Sequence, residues 1–339
     1  MGVAKKPNLE DSQLVAAARA GDQRAFASLT EGYRSELQVH CYRMLGSLED
    51  AQDLVQEALL RAWTRRESFE GRSTFRAWLY RIATNGCIDF LERSKRRHPH
   101  RDTVTSLPLD LPWLQPYPDH LLEELASSDE GPDARIVTKE TIELAYLVAL
   151  QLLSPSQRAA LILCDVLDWS AREVAVLLET TVPSVNGALR RARETLKKYG
   201  PSRGPEWKPG ADPAQQERVL LQRYVEAGER GDVAGLAALC REDVRFAMPP
   251  EAGVWAGRDV VVQGWRDGGF GSPSFGTSRC MVTRANRMPA VASYVRAPGE
   301  AQFRFLALDV LAIEGGLIVE VIAFSVPGLC KAFNLPETL

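Results

Sequence analysis

The chain has 339 residues, 45% of them hydrophobic and 25% charged, with a formal net charge of −3. That length suits two or three domains, and the composition is that of an ordinary soluble protein. No segment approaches the roughly 20 apolar residues of a membrane-spanning helix, and the polar opening MGVAKKPNLEDSQ lacks the apolar core of a secretory signal. A cytoplasmic protein with no membrane partner is expected. Lys6 stands where a myristoylation signal has Ser or Thr. The six cysteines, Cys41, Cys87, Cys164, Cys240, Cys280 and Cys330, show no Cys-x-x-Cys spacing and read as reduced core residues, with no metal site.

The net charge conceals a layout. Residues 1–101 are mildly basic and end on Arg93, Lys95, Arg96, Arg97, His98, His100 and Arg101. Residues 102–146 are acidic, with Asp110, Asp119, Glu123, Glu124, Asp129, Glu130 and Asp133; residues 190–198 turn basic again. This order predicts two nucleic-acid surfaces joined by a connector that avoids nucleic acid or mimics it.

Helical periodicity without proline predicts a first helical domain over 10–97. The segment DAQDLVQEALLRAW places Ala51, Leu54, Val55, Ala58 and Ala62 on one helix face and Asp50, Asp53 and Glu57 on the other. Such a stripe is either a solvated face or a dock for a basic partner. The next helix, Thr74–Arg97, has a buried stripe of Phe75, Trp78, Leu79, Ile82 and Phe90, and it leaves Arg76, Tyr80, Arg81 and Asn85 to other faces. Aromatic and amide groups beside arginines suit single-stranded DNA; for Trp78 and Tyr80, composition does not separate core from DNA surface. Clustered prolines then predict a linker over 98–134, with a short helix near 119–126.

Residues 135–199 read as a second helical domain. A short helix at Ala171–Leu178, a tight turn and a helix from about Pro183 form a helix–turn–helix pattern. Asn186, Arg190, Arg193 and Lys197 make a polar and basic stripe fit for a major groove. The proline- and glycine-rich stretch 200–212 predicts a second linker. From 213 to 337 helices give way to β-rich segments at 243–248, 278–286, 290–296, 301–313 and 317–324, the last two flanking Gly315-Gly316, which predicts an α+β domain. No histidine falls in it, so a histidine acid–base pair is excluded; an Asp309 base is not.

The run GSLEDAQDLVQEALLRAW followed by FRAWLYRIATNGCIDFLER resembles region 2 of sigma-70 factors of the extracytoplasmic-function group. The segment LLSPSQRAALILCDVLDWSAREVAVLL and the helix after it resemble region 4 of the same family. Residues 213–337 resemble the SnoaL-like (NTF2-like) cone, in QRYVEAGERGDVAGLAALCREDVRFAMPP and ALDVLAIEGGLIVEVIAF. The expected fold is multidomain: two all-α domains and a C-terminal α+β cone. The resemblance implies a non-enzymatic factor, free of cofactors and catalytic residues, that binds core RNA polymerase through the β′ clamp and β flap and directs initiation at promoter DNA. It implies polymerase contacts at Asp50, Asp53, Gln56 and Glu57. It puts −10 DNA contacts at Ser73, Thr74, Trp78 and Asn85, and −35 contacts at Ser184, Asn186, Arg190, Arg191 and Arg193. The connector threads polymerase channels in that family, although a plain flexible linker reads equally well. The fused cone is expected to tune activity. Trp255, Trp265, Phe303, Phe305 and Asp309 are candidate pocket residues for a small-molecule ligand, on the expectation that 303, 305, 307 and 309 share one strand face, or else core. A monomer is expected in the free state.

Overall fold

The computed structural model describes residues 9–71, 73–97, 111–127, 142–199, 215–251 and 253–339. The linker expected at 200–212, the connector acids Asp110, Asp129, Glu130 and Asp133, and His98, His100 and Arg101 lie outside them. Two compact units form: residues 1–102, 125–140 and 149–200, and residues 103–124, 141–148 and 201–339.

In the first unit, α1 (Leu9–Arg19), α2 (Gln23–Leu45), α3 (Leu48–Thr64) and α4 (Phe75–Arg97) pack as one helical module. Their ends follow local chemistry. The Asp22 carboxylate accepts from the N–H groups of Arg24 and Ala25 at 2.8 and 3.1 Å and starts α2. Gly46, at φ +73, closes α2 in the left-handed region, and Ser47 caps α3 immediately after it. The sharp turn lets α3 bury Leu48, Ala51, Leu54, Val55, Ala58, Leu59 and Ala62.

The second helical module comprises α6 (Leu144–Gln151), α7 (Pro155–Leu161), a π-helical turn at Ile162–Val166, α8 (Ala171–Leu177) and α9 (Val182–Tyr199), with α5 (Asp119–Ser127) in the connector before it. Both α7 and α8 begin with a complete capping box, Ser154 with Gln157 and Ser170 with Glu173. Helix α9 buries Val185, Ala188, Leu189 and Ala192. Within this unit α7 packs on α2 and α4, and α8 on α4.

The second unit is built on a six-stranded sheet of order β2-β1-β6-β5-β4-β3. The strands are β1 (Cys240–Ala247), β2 (Val254–Ala256), β3 (Thr277–Ala285), β4 (Met288–Arg296), β5 (Arg304–Glu314) and β6 (Leu317–Phe324). Among the described strands β1 and β6 pair parallel and the other neighbours antiparallel. Helices α10 (Gln215–Arg230), α11 (Val233–Leu239) and α12 (Arg258–Asp267) cover one face, and α13 (Leu329–Ala332) follows the last strand. Gly315 and Gly316, at φ +57 and +79, form the β5–β6 turn expected of that pair.

One expectation about β5 fails. Ser293 pairs with Ala307, but Tyr294 pairs with Phe305, so Leu306 is an extra residue in the ladder. A β-bulge shifts strand parity. Residues 303 and 305 therefore do not share a face with 307 and 309.

The connector is more than a tether. Leu111, Leu114 and Tyr117 are each 1% exposed, as is Ile142. Asn286, fully buried at φ +54 in the β3–β4 turn, holds two stretches of it. Its Oδ1 accepts the Tyr117 N–H at 2.8 Å, its own N–H donates to the Tyr117 carbonyl at 2.8 Å, and its Nδ2 donates to the Ile142 carbonyl at 2.6 Å. Asp119 adds contacts to the Arg287 N–H at 2.7 Å and Arg284 Nε at 3.2 Å. Asparagine is one of the few residues that adopts this backbone region readily. Asn286→Ala strands a buried donor and a buried acceptor. It is expected to destabilise this unit by about 3 kcal/mol in urea unfolding, and Asn286→Asp, which sets a carboxylate oxygen against the Ile142 carbonyl in a buried site, to destabilise it at least as much at neutral pH.

Candidate nucleic-acid interface

On α3 the acidic face stands clear of the core. Asp53 and Gln56 are exposed, and Asp50 and Glu57 are half-buried. Glu57 is held by Arg61 one turn on. The same face carries Leu60, 65% exposed, which sequence reasoning passed over. Its signal was present: Leu60 follows Glu57 by three positions and is off the buried stripe. A large exposed leucine on the same helix as exposed and half-buried acids is unusual for a purely solvated face.

The residues expected at the −10 element divide. Ser73, Thr74 and Asn85 are exposed. Thr74 also caps α4, accepting the Ala77 N–H at 3.1 Å. Trp78 does not lie on the surface. It is 4% exposed, packed between Phe69 and Phe75 with ring centroids 5.4 and 5.5 Å away. The surface position expected of it is therefore not what the structure shows: its ring belongs to an aromatic cluster with Phe69 and Phe75. Tyr80 is fully buried and donates to Glu36 at 3.3 Å. Arg76 also pairs with Glu36, at 2.9 Å, and its guanidinium lies 5.1 Å from the Tyr80 ring and 5.9 Å from that of Trp169.

Trp169, from the second helical module, sits 5.3 Å from Tyr80, and Glu179 pairs with Arg81 at 3.9 Å. Arg158, 4% exposed, donates to the Met44 carbonyl at the end of α2 and to Gln151 and Leu153 carbonyls at 3.0 and 3.1 Å. The two helical modules are thus joined over part of the α4 face. His40, buried behind Tyr80 and bonded to Thr84 at 2.9 Å, is pushed down to about 3 by burial and then by Arg43 and Arg76. It stays neutral and structural.

On α9, Ser184, Asn186, Arg190, Arg191 and Arg193 are all exposed. Asn186, Leu189, Arg190, Arg193, Glu194 and Lys197 line a shallow open groove along the helix. Arg193 differs from its neighbours, being held bidentate by Asp165 at 2.6 and 2.9 Å.

The five pocket candidates of the cone separate at the β5 bulge. Trp255 and Trp265 pack on the inner core, each against Phe246, at 5.6 and 6.2 Å. Asp309 is half-buried on the helix-covered side, where its Oδ2 accepts from Tyr224 at 3.1 Å and from Ser293 at 3.3 Å. Phe303 instead lies under Arg279 and Arg296, and Phe305 packs on Tyr294. They do not join Asp309 in one lining. Among the described residues no group of three or more His, Cys, Asp or Glu is placed to hold a metal ion, and no helix is long and apolar enough to cross a membrane.

The sigma-70 region 2 family matches residues 29–97, the sigma-70 region 4 family residues 143–196, and the SnoaL-like domain family residues 221–321. The ECF RNA polymerase sigma factor SigG of Mycobacterium tuberculosis is 39% identical over 332 residues, covering 95% of this chain and 86% of that protein. The ECF RNA polymerase sigma factor SigW of Bacillus subtilis is 30% identical over 192 residues, covering 53% of this chain and 91% of that protein. The crystal structure of the M. tuberculosis extracytoplasmic function sigma factor SigJ shares the fold, with a TM-score of 0.58 and 23% identity over 92% of this chain and 99% of that one. Two sigma-type helical modules followed by an NTF2-like α+β domain define a transcription-initiation factor, not an enzyme. The chain belongs to the ECF RNA polymerase sigma factors and directs promoter-specific initiation.

Burial raises Asp309 to about 6, against the two hydroxyl hydrogen bonds that lower it. The folded carboxyl therefore holds its proton more tightly than the unfolded one, and ionisation opposes folding. Stability falls as pH rises from about 4 to about 6, and the penalty is complete above that window. Asp309→Asn is expected to be more stable than the parent at about pH 7.5, by about 1–3 kcal/mol, and to flatten the pH dependence. Urea unfolding at about pH 5 and pH 7.5 measures both; an unchanged slope contradicts it.

Proposed function

We propose that the α3 face of Asp50, Asp53, Gln56 and Glu57, centred on Leu60, docks on the β′ clamp of core RNA polymerase. The observation that carries this reading is Leu60, 65% exposed among acids on a helix whose opposite side is buried. Ser73, Thr74 and Asn85 then meet the −10 element, with Trp78 holding their loop from below. Ser184, Asn186, Arg190, Arg191 and Arg193 of α9 meet the −35 element, and the second helical module contacts the β flap. The factor works in the cytoplasm beside polymerase and is a monomer before it binds.

The cone regulates, in this reading, by controlling the connector that Asn286 and Asp119 hold. Any small-molecule ligand would be met by Asp309 with Trp255 and Trp265, the candidates left together on the inner side of the bulge. The fused domain substitutes for a separate inhibitor.

Asp53→Arg with Glu57→Arg is expected to abolish binding to core polymerase while circular dichroism and melting temperature stay near the parent's, since neither side chain belongs to the buried stripe of α3. Retained binding would refute the dock. Removal of residues 205–339 is expected to change run-off transcription several-fold without altering which promoters are used; a new promoter preference in the truncated protein contradicts the regulatory role.

A further inference from the structure

Arg193 lies on the exposed side of α9, three residues after Arg190 and four before Lys197, and its guanidinium is fixed from outside the helix. Nε and Nη2 donate to the two oxygens of Asp165 at 2.9 and 2.6 Å. Asp165 belongs to the π-helical turn Ile162–Val166, whose backbone is pinned. Leu167 N–H donates to the Ile162 carbonyl and Trp169 N–H to the Leu163 carbonyl, both at 3.0 Å, and Ile162 and Leu163 are fully buried. The carboxylate is therefore presented from a rigid platform. The Arg193 side chain is 61% exposed, so much of its surface still faces the groove that Asn186, Arg190 and Lys197 line.

We propose that Asp165 is a positioning residue for promoter recognition: it locks Arg193 in one geometry, so that the outer Nη1 edge meets DNA already oriented. The proposal rests on α9 being the −35 helix. Two opposed physical effects follow. A free arginine side chain must give up rotamer freedom to make a directed hydrogen bond; a guanidinium already forked onto a carboxylate has given it up on folding. At the same time the carboxylate cancels much of the Arg193 charge, which weakens the sequence-independent pull on phosphates. Asp165 therefore lowers general DNA affinity while sharpening discrimination. A residue that served only to hold the fold would change stability and would alter both kinds of binding in the same direction.

The test uses full-length protein assembled with core polymerase, and a promoter fragment selected by that holoenzyme, intact or with its −35 element scrambled. Binding is followed by fluorescence anisotropy across a salt series. Asp165→Asn is expected to tighten binding to the scrambled fragment about two- to threefold at low salt. It should lower the intact-to-scrambled affinity ratio by about three- to tenfold. Arg193→Lys keeps the charge but loses the fork, and is expected to lower the ratio similarly with the salt slope retained. Asp165→Asn added to Arg193→Ala should change the ratio no further. The proposal is overturned if folded Asp165→Asn keeps the parent's ratio, if Arg193→Lys does so, or if Asp165→Asn lowers the ratio further in the Arg193→Ala background. Should Arg190→Ala and Arg193→Ala both leave the ratio unchanged, the assignment of α9 to the −35 element fails instead, a distinct result.

Discussion

Asn286 occupies the turn between β3 and β4, and its side chain closes hydrogen bonds to Tyr117 and Ile142, on either side of the acidic connector. A residue in this backbone region, fully buried, with both ends of its amide engaged, leaves little room for alternatives. Tyr117 and Ile142 are thereby held to one residue. The sequence leaves the connector as either a channel-threading strap or a simple tether. In the structure Tyr117 and Ile142 are hydrogen-bonded to the β3–β4 turn, and Leu111, Leu114 and Tyr117 are sealed from water. Whatever this chain does between its two helical modules, it begins from a position that the C-terminal domain sets.

The helical unit shows a second division of labour. The α9 face and the acidic α3 face are open to solvent, whereas part of α4 is covered where Trp169 lies on Tyr80 and Glu179 reaches Arg81. Asp53, Gln56 and the α9 residues Asn186, Arg190 and Arg193 are accessible in the same arrangement that buries the aromatic side of α4. Trp78, Phe69 and Phe75 then have a different task from the one their chemistry suggests. They pack on one another, while Ser73 and Thr74 beside them are exposed.

Much of this could be read in the residues, and the exceptions are informative. The α3 stripe was legible because a 3.6-residue period needs no partner to be seen, and the Ser170 cap with Glu173 marks α8 by local chemistry alone. Trp78 was not legible, since an aromatic ring that stacks on bases and one that packs on phenylalanine are the same ring. The inner face of β5 was misread because alternation assumes an unbroken ladder, and the extra residue at Leu306 has no signature in composition. Asn286 was invisible for a third reason: its partner Tyr117 is 169 positions away, and nothing local announces a contact of that span. Short-range periodicity survives translation into structure; registry and long-range pairing do not reveal themselves.

Arg158 has a thermodynamic consequence of its own. Its guanidinium is shared between the backbone of α2, at Met44, and the carbonyls of its own module, at Gln151 and Leu153. Any binder that requires the two modules apart must detach it from Met44, and the exposed carbonyl then has to find water. The affinity such a binder shows is its intrinsic affinity multiplied by the fraction of molecules already parted. A single shared arginine thus places a threshold on engagement, and substitutions far from any binding face can raise or lower that threshold without touching the partner.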